Sequence, residues 1–404
     1  MRSLNIPQPK GYAVKKQAEA LEVAKTLGYP LLVRPSYVIG GRGMQVVYNK
    51  DELLSYIESA LKFSDEHPIL IDQYIEGTEL ELDAISDGEN VLIPAITEHV
   101  ERAGIHSGDS IALYPTRTIP QNVIDNLVEY TQKIAKALNV KGLMNIQFVL
   151  KDNVAYIIEV NPRASRTVPI LSKVTGTPMV KIAIGAIMGK SIIEQGYKTG
   201  LVETTNLVCA KVPIFSFQKL NRIDPALAPE MKSTGEVLGI DTTYEKALAK
   251  GFLAAGYNLS TERGNVLISI NDHYKKDSVE VAKTLVELGY NLIATTGTHK
   301  FLKQHNIESK EIENFDIEKI QRNMKNKELC FIINTPTTNN HSRRHGSEDR
   351  GFLIRTIAEM YSTPCFTVLD TAKAYLEALQ CYMKNPNLTY DSIDKYRSQE
   401  PVCK

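Results

Sequence analysis

Residues 142–150 and 155–163 are rich in β-branched and aromatic side chains and are parted by the polar Lys151, Asp152 and Asn153, the pattern of an antiparallel hairpin. Residues two apart on a strand share a face, so Glu159 and Asn161 point the same way and Gln147 lies opposite them across the ladder. One carboxylate and two amide oxygens suit a hard ion such as Mg2+, which is commonly held by one or two carboxylates together with nucleotide phosphates. A solvated hairpin face explains the same spacing. Upstream, Arg34 ends an apolar run and precedes Gly40, Gly41, Arg42 and Gly43. Glycine amides approach phosphate closely and a guanidinium grips it with two hydrogen bonds, although an ordinary turn has the same composition. Glu79, Glu81 and Asp83 alternate with apolar residues and share one strand face. Three acids repel unless a cation or a hydroxyl-rich ligand such as ribose meets them, which favours a ligand at Glu79 and a solvated edge at Asp83. Residues 98–110 set His99, Glu101, His106 and Asp109 between two apolar runs and read as a site-bearing loop, with either histidine equally readable as solvent-exposed. Arg163 and Arg166 follow the hairpin directly.

The elements that must position these groups come in two styles. Apolar spacing predicts helices over 16–27, 51–61, 121–138, 168–173 and 179–188, with strands over 30–34 and 69–75. Residues 197–256 hold Pro213, Pro225 and Pro229 and read as an irregular connecting region with a helix near 243–251. From Arg263 onward strands and helices alternate: strands over 266–270, 291–294, 329–334 and 365–368, helices over 277–288, 298–305, 317–326, 351–360 and 372–383. That alternation predicts a parallel doubly wound sheet, an independent unit whose ligands gather at the carboxyl ends of its strands. Thr295–Thr298 and Asn334–Thr338 fall at such ends. A hydroxyl-rich turn opening a helix is an anion site, and plain capping by Thr296 or Thr298 accounts for it equally. The expected domains are 1–196, a connector over 197–260, the alternating unit over 261–384 and a polar, frayed tail over 385–404.

A chain of 404 residues fits two or three domains, and a formal net charge of zero leaves no electrostatic footprint for nucleic acid or an anionic membrane. Five scattered cysteines without a C-x-x-C pair argue against a disulfide framework or zinc site and for a reducing cytosol. The apolar runs are too short to span a bilayer and no leader-like segment opens the chain, so a soluble cytoplasmic protein is expected.

Arg34-Pro35-Ser36-Tyr37 with Gly40-Gly41-Arg42, residues 98–110, Met144-Asn145-Ile146-Gln147-Phe148, residues 158–169 and Pro229–Val237 together resemble the large subunit of carbamoyl-phosphate synthetase over its C-terminal part. The resemblance implies an ATP-grasp domain that phosphorylates carbamate with ATP and Mg2+ or Mn2+, followed by a methylglyoxal-synthase-like allosteric domain. Carried over by position, Arg34, Gln73, Ile75, Glu79, Gly104, Ile105, His106 and Ser107 match nucleotide contacts; Gln147, Glu159 and Asn161 match metal ligands, the first two also touching the nucleotide; Arg163, with Arg34, matches the arginines at the transferred phosphoryl group; and Lys275, Thr295, Thr298 and Asn334 match residues that hold an effector nucleotide's phosphate. The implied partners are a glutamine amidotransferase small subunit and the remainder of the large subunit, the implied product carbamoyl phosphate for pyrimidine and arginine synthesis. The family's first synthetase half and the segment before its ATP-grasp domain are missing here, so the chain reads as a piece of that subunit. Val212 stands where some members carry a glutamate used in ornithine activation, and Asn314 where an effector lysine is expected. Another ATP-grasp carboxylate–amine ligase, or a nucleotide-binding regulatory piece without turnover, are the alternatives.

Overall fold

The computed structural model describes residues 1–37, 40–61, 68–204, 207–217, 223–259, 262–312, 316–336 and 350–398; Asn314, Thr337 and Thr338 lie outside them. Near the N-terminus, β1 (Gly11–Val14), β2 (Leu31–Pro35), β3 (Gln45–Val47) and β4 (Ile69–Gln73) form an antiparallel sheet in the order β1-β4-β2-β3. Helices α1 (Gln17–Leu27) and α2 (Lys50–Leu61) cover it, packing Ala20, Ala24, Leu53 and Ile57 on Leu31, Val33 and Ile71. Both helices place apolar residues three or four apart, which puts them on one stripe.

The larger sheet is built from β5 (Thr78–Asp87), β6 (Val91–Arg102), β7 (Ala112–Tyr114), β8 (Lys141–Lys151), β9 (Val154–Asn161), β10 (Gly200–Leu201), β11 (Val208–Phe215) and β12 (Ser233–Asp241). Its order is β12-β11-β7-β6-β5-β8-β9, antiparallel throughout, with β10 pairing parallel to β6. Helix α3 (Gln121–Ala137) seals one face against Leu80, Leu82, Ala84, Ile146 and Phe148. Leu138, the last residue of the expected helix 121–138, falls at the helix end and is exposed. Helices α4 (Val168–Thr175) and α5 (Met179–Ile187) pack on the other face against Ile85, Leu92 and Tyr114. Taken together α4 and α5 are long and apolar enough for a membrane span but are bent by 111°, and no single helix among the described residues could cross one.

Two expectations are corrected here. Residues 98–102 are strand, not loop: β6 runs on to Arg102, and Glu98, His99 and Glu101 are buried in it. Residues 208–215 and 233–241 are not a connector but form β11 and β12, two strands of the sheet itself, and α6 (Tyr244–Ala254) packs upon them. Pro213 sits inside β11, next to the register irregularity at Ile214 and Phe215, where a missing N–H is tolerated.

The last sheet is parallel, ordered β15-β14-β13-β16-β17, from β13 (Asn265–Ser269), β14 (Asn291–Thr295), β15 (Lys310–Ile312), β16 (Leu329–Asn334) and β17 (Cys365–Phe366). Helices α7 (Lys275–Glu287), α8 (Thr296–Gln304) and α11 (Leu369–Lys384) pack on one face, α9 (Ile317–Lys325) and α10 (Arg350–Met360) on the other, as the alternating pattern predicts. The three-residue β15 escaped the sequence reading because it is too short to carry a period. This unit is not self-contained: one continuous core joins Val266, Ile268, Phe331, Phe366 and Tyr375 to Phe252, Ala247 and Val212 of the preceding part. Nor is the tail frayed up to Ser398, since α12 (Ile393–Ser398) returns to α4 and buries Tyr396, whose hydroxyl accepts from Lys250 Nζ at 2.7 Å.

Candidate active site

Strand register brings the singled-out residues into rows. Glu81 pairs with Gln147 and Gln147 with Glu159; beside them Asp83 pairs with Asn145 and Asn145 with Asn161. A bulge at Ile158 breaks the alternation of β9, and the turn it leads from carries Asp152 and Asn153 at positive φ. Gln147, Glu159 and Asn161 therefore share one face of the β8–β9 hairpin, with Glu159 exposed. Among the described residues no three His, Cys, Asp or Glu side chains gather into a metal cage. The hairpin's set, one carboxylate and two amides, is instead an all-oxygen set suited to an ion that keeps nucleotide phosphates as its other ligands.

Beside the hairpin residues, on the same face of the sheet, lies a buried polar row. Glu79, Glu81 and Asp83 are all buried on β5, so Asp83, expected at a solvated edge, stands in the middle of the sheet with none of its surface exposed. The Asn145 amide donates to Glu81 Oε1 at 2.9 Å and Asp83 Oδ1 at 3.3 Å, and Ser165 Oγ donates to Asp83 Oδ2 at 2.7 Å. His99, for which solvent exposure was one reading, is buried between Glu81 (Nε2 to Oε2, 3.4 Å) and Glu79 (Nδ1 to Oε1, 3.7 Å). The buried Lys211 of β11 donates from Nζ to Ser107 O at 3.1 Å.

These surroundings drive the three acids apart. Burial and the neighbouring Glu81 charge raise Glu79 well above the usual carboxylate range. Burial pushes Glu81 the same way, but the His99 hydrogen bond and charge, Lys211 and the Asn145 amide outweigh it and bring Glu81 down to about 2. Burial and the Glu81 charge lift Asp83 to about 7, against the pull of Ser165, Asn145 and Arg163. Burial holds His99 below its ordinary value. A neutral imidazole donating from Nε2 to an ionised Glu81 agrees with the low His99 and the raised Glu79, and leaves Glu81 held down by its hydrogen bonds and by Lys211 rather than by a charge on His99.

Of the residues expected to hold a nucleotide, those of segments 75–79 and 104–107 gather at the same end of the sheet. Gln147 Nε2 donates to Ser107 Oγ at 3.0 Å, and His106, held low by burial, accepts the Gly108 amide at Nδ1 at 3.0 Å. Ile75 packs with Ala103, Val149 and Tyr156 directly before Gly104 and Ile105. Gln73 is exposed at the end of β4, and Arg34 lies apart on the smaller sheet, with Nε on Asp72 Oδ2 at 3.0 Å. Arg163 is exposed, and its Nη1 donates to Ala164 O at 3.0 Å.

Residues around Pro229, expected to lie in a connector, close this end. Asp109 accepts from Lys232 N and Ser233 N, each at 2.8 Å; Arg166 Nη2 donates at 2.8 Å to both Gly108 O and Ser233 Oγ; His106 N donates to Ala228 O at 3.0 Å. The glycine-rich turn joins them through Met231 N to Gly40 O at 2.9 Å, and a side chain at Gly41, where φ is +71°, would meet Pro229 O at 1.8 Å. His99, Asn145, Ser165, Lys211 and Ser233 were missed or given no role in the sequence reading; only the alternation of acids with apolar residues on β5 hinted at partners.

In the parallel sheet Thr295 and Asn334 end β14 and β16, and Lys275 and Thr298 lie in the first turns of α7 and α8. Thr298 Oγ1 accepts Ile270 N at 3.0 Å and lies 3.3 Å from Thr295 Oγ1. Lys275 Nζ pairs with Asp272 and approaches Gly297. Asn334 Oδ1 accepts from the buried Arg355 at 2.7 Å, which also grips Asp224 through Nε and Nη2 at 2.7 and 2.8 Å.

Residues 1–194 match the family model described as the carbamoyl-phosphate synthase L chain ATP-binding domain, and residues 277–367 match the MGS-like domain. The large chain of carbamoyl phosphate synthase from Clostridium acetobutylicum is 50% identical over 396 residues, which span 98% of this chain and 36% of that one. The chain thus carries a carbamoyl-phosphate synthase L-chain ATP-binding domain followed by an MGS-like domain. It spans about a third of the length of this curated relative. Its fold is an ATP-grasp domain followed by a parallel-sheet, MGS-like domain. Among solved structures, biotin carboxylase from Campylobacter jejuni is 20% identical over 62% of each chain at a TM-score of 0.49, and the biotin carboxylase domain of the 2-oxoglutarate carboxylase of Hydrogenobacter thermophilus 18% identical over 61% of each at 0.48.

Proposed function

We propose that the chain transfers the γ-phosphoryl group of ATP to carbamate, giving carbamoyl phosphate and ADP. The observation that carries this reading is the shared face of Gln147, Glu159 and Asn161, continuous across the strands with a buried, hydrogen-bonded row of acids on β5, with Arg163 and Arg166 following the hairpin. In it, Ile75, Glu79 and residues 104–107 hold the nucleoside, with Gln73 at the rim, while Arg34 and Arg163 meet the phosphoryl group. Gln147, Glu159 and Asn161 would hold the metal, Mg2+ or Mn2+, which when bound would supply positive charge to the nucleotide phosphates. A carbamate oxygen attacks the γ-phosphorus as the bond to the β-phosphate oxygen breaks. No side chain need take a proton, because the nucleophile is already an anion. Positioning and fixed positive charge are what such a transfer asks of a protein.

The same reading gives the MGS-like domain a nucleoside monophosphate, a pyrimidine one favoured, at Lys275, Thr295, Thr298 and Asn334. The small amidotransferase subunit and the rest of the large chain are its partners in the cytoplasm, and pyrimidine and arginine synthesis use its product. Val212 lines a cleft between the two domains with Glu101, Asp109 and Thr371, and an apolar group there leaves an amine effector without one carboxylate.

The test is the reverse reaction, ATP formation from carbamoyl phosphate and MgADP. Glu159→Gln, which removes the metal's one anionic side-chain ligand, is expected to abolish it with the circular-dichroism spectrum unchanged; full turnover in the folded variant rejects the assignment. Lys275→Ala is expected to weaken uridine monophosphate binding in calorimetry and leave MgADP binding as it was, and an unaltered dissociation constant for the monophosphate moves the effector site elsewhere.

A further inference from the structure

Arg102 ends β6 immediately before Ala103 and the 104–107 segment. Its guanidinium reaches carboxylates on three separate elements: Glu76 Oε1 at 3.3 Å, Asp277 Oδ2 at 3.7 Å and Asp370 Oδ2 at 3.7 Å. Its own backbone N–H also faces Asp370 Oδ2, at 3.4 Å. Glu76 follows Ile75. Asp277 lies in the first turn of α7, two residues beyond Lys275, and Asp370 in the first turn of α11. One side chain therefore touches both chain segments of the nucleotide site and two of the helices that start at the phosphate end of the parallel sheet.

On the nucleotide side the two segments are already stitched together. Ala103 N donates to Gly77 O at 3.0 Å, Thr78 pairs with Arg102 across the strands, and the Tyr74 hydroxyl donates to Ala103 O. A displacement of Arg102 thus moves Glu76 and the 103–107 segment as one body. On the other side, acids in the first turns of α7 and α11 face the positive helix ends and are stable there whether or not Arg102 engages them. A half-exposed guanidinium shared among three anions has alternatives within reach, so a small movement of α7 or α11 can exchange one partner for another. A second contact crosses the same boundary, Tyr48 against His273 with ring centroids 5.6 Å apart.

We propose that Arg102 is a positioning residue that couples the two ligand sites: by holding Glu76 and the 103–107 segment to the first turns of α7 and α11, it makes nucleotide binding at the large sheet and phosphate binding at the parallel sheet alter one another's affinity. The inference rests on the nucleotide and effector readings above. It adds the residue through which they communicate.

Hydrogen exchange on the whole chain, with MgADP and uridine monophosphate as probes, separates the claims. Each probe protects its own site if the underlying readings hold. Coupling adds cross-protection: MgADP slows exchange in the first turns of α7 and α11, and the monophosphate slows it in 103–107. Arg102→Met keeps the aliphatic stem and removes the three contacts, while Asp277→Asn with Asp370→Asn removes two of them from the other side. Each is expected to abolish cross-protection and keep local protection, and to bring the ratio of MgADP dissociation constants with and without the monophosphate to about one, from the ~5–150-fold range usual for allosteric pairs. The triple variant should do no more than Arg102→Met, because all three changes break the same contacts. Cross-protection that survives in Arg102→Met, or local without cross-protection in the unaltered chain, overturns the inference. Absence of local protection fails the nucleotide or effector reading and takes the coupling with it. Should Arg102→Met not fold, the aspartate variants carry the same test.

Discussion

Glu79, Glu81 and Asp83 are spaced identically on one strand yet titrate apart, because donors reach them unequally. Glu81 collects His99, Lys211 and Asn145; Glu79 has a histidine nitrogen at 3.7 Å and the repulsion of its neighbour. Asp83, lifted from 3.8 to about 7, binds a proton in the folded state that the unfolded chain has released. Its contribution to stability is therefore complete below about pH 4, lost as pH rises towards 7 and flat beyond. Asp83→Asn removes that dependence, so urea unfolding should show the variant gaining on the unaltered protein between about pH 5 and about pH 8. Parallel curves for the two would mean that Asp83 ionises normally. The shared face of the three acids was legible in the sequence. Their burial was not, because alternation fixes which residues share a face and not whether that face meets water, and Lys211 and Ser165 arrive from distant chain.

At the scale of elements, hairpin β8–β9 and the alternating C-terminal strands were readable because each carries its own period or turn. β11 and β12 were not, since three prolines nearby imitate a linker and a strand's place in a sheet is set by partners remote in sequence. Their junction, the segment around Pro229, gives the glycine-rich turn a second reason for its composition: close packing, besides any approach to phosphate. Gly41 and Gly28 separate the two contributions. Both have positive φ, +71° and +76°, but an added Cβ at Gly28 meets nothing within 4 Å whereas at Gly41 it strikes Pro229 O. Gly28, with ψ 171°, lies in a region essentially reserved for glycine, so Gly28→Ala should cost only the backbone term, about 1–3 kcal/mol. Gly41→Ala should lose more in urea unfolding and also weaken MgADP binding, since the turn and the Pro229 segment must separate. Equal losses for the two variants would show that the Pro229 segment yields freely.

The whole molecule departs furthest from the sequence reading at its domain boundary. Strand–helix alternation beginning near Arg263 marks a change of architecture, and the parallel sheet bears that out, but alternation says nothing about what covers the outer face of each helix. Phe252 and Tyr257 lie before that boundary and pack into the later unit, Phe252 edge-on to Tyr375 at 5.4 Å and Tyr257 stacked on Phe366 at 5.7 Å. Aromatic side chains bury about 150–250 Å² each. At about 25 cal/mol per Å² the pair is worth several kcal/mol, which is comparable with the roughly 5–15 kcal/mol net stability of a domain. A piece cut at Ser260 therefore loses a large part of its margin and exposes Phe366 and Tyr375 to water. One that starts at Thr243 keeps α6 and both rings. The shorter piece is expected to bind a hydrophobic dye and melt without a cooperative transition, and the longer one to melt cooperatively. Two sharp transitions of similar midpoint would mean that the parallel-sheet unit carries its own core, and that the aromatic junction joins domains already stable by themselves.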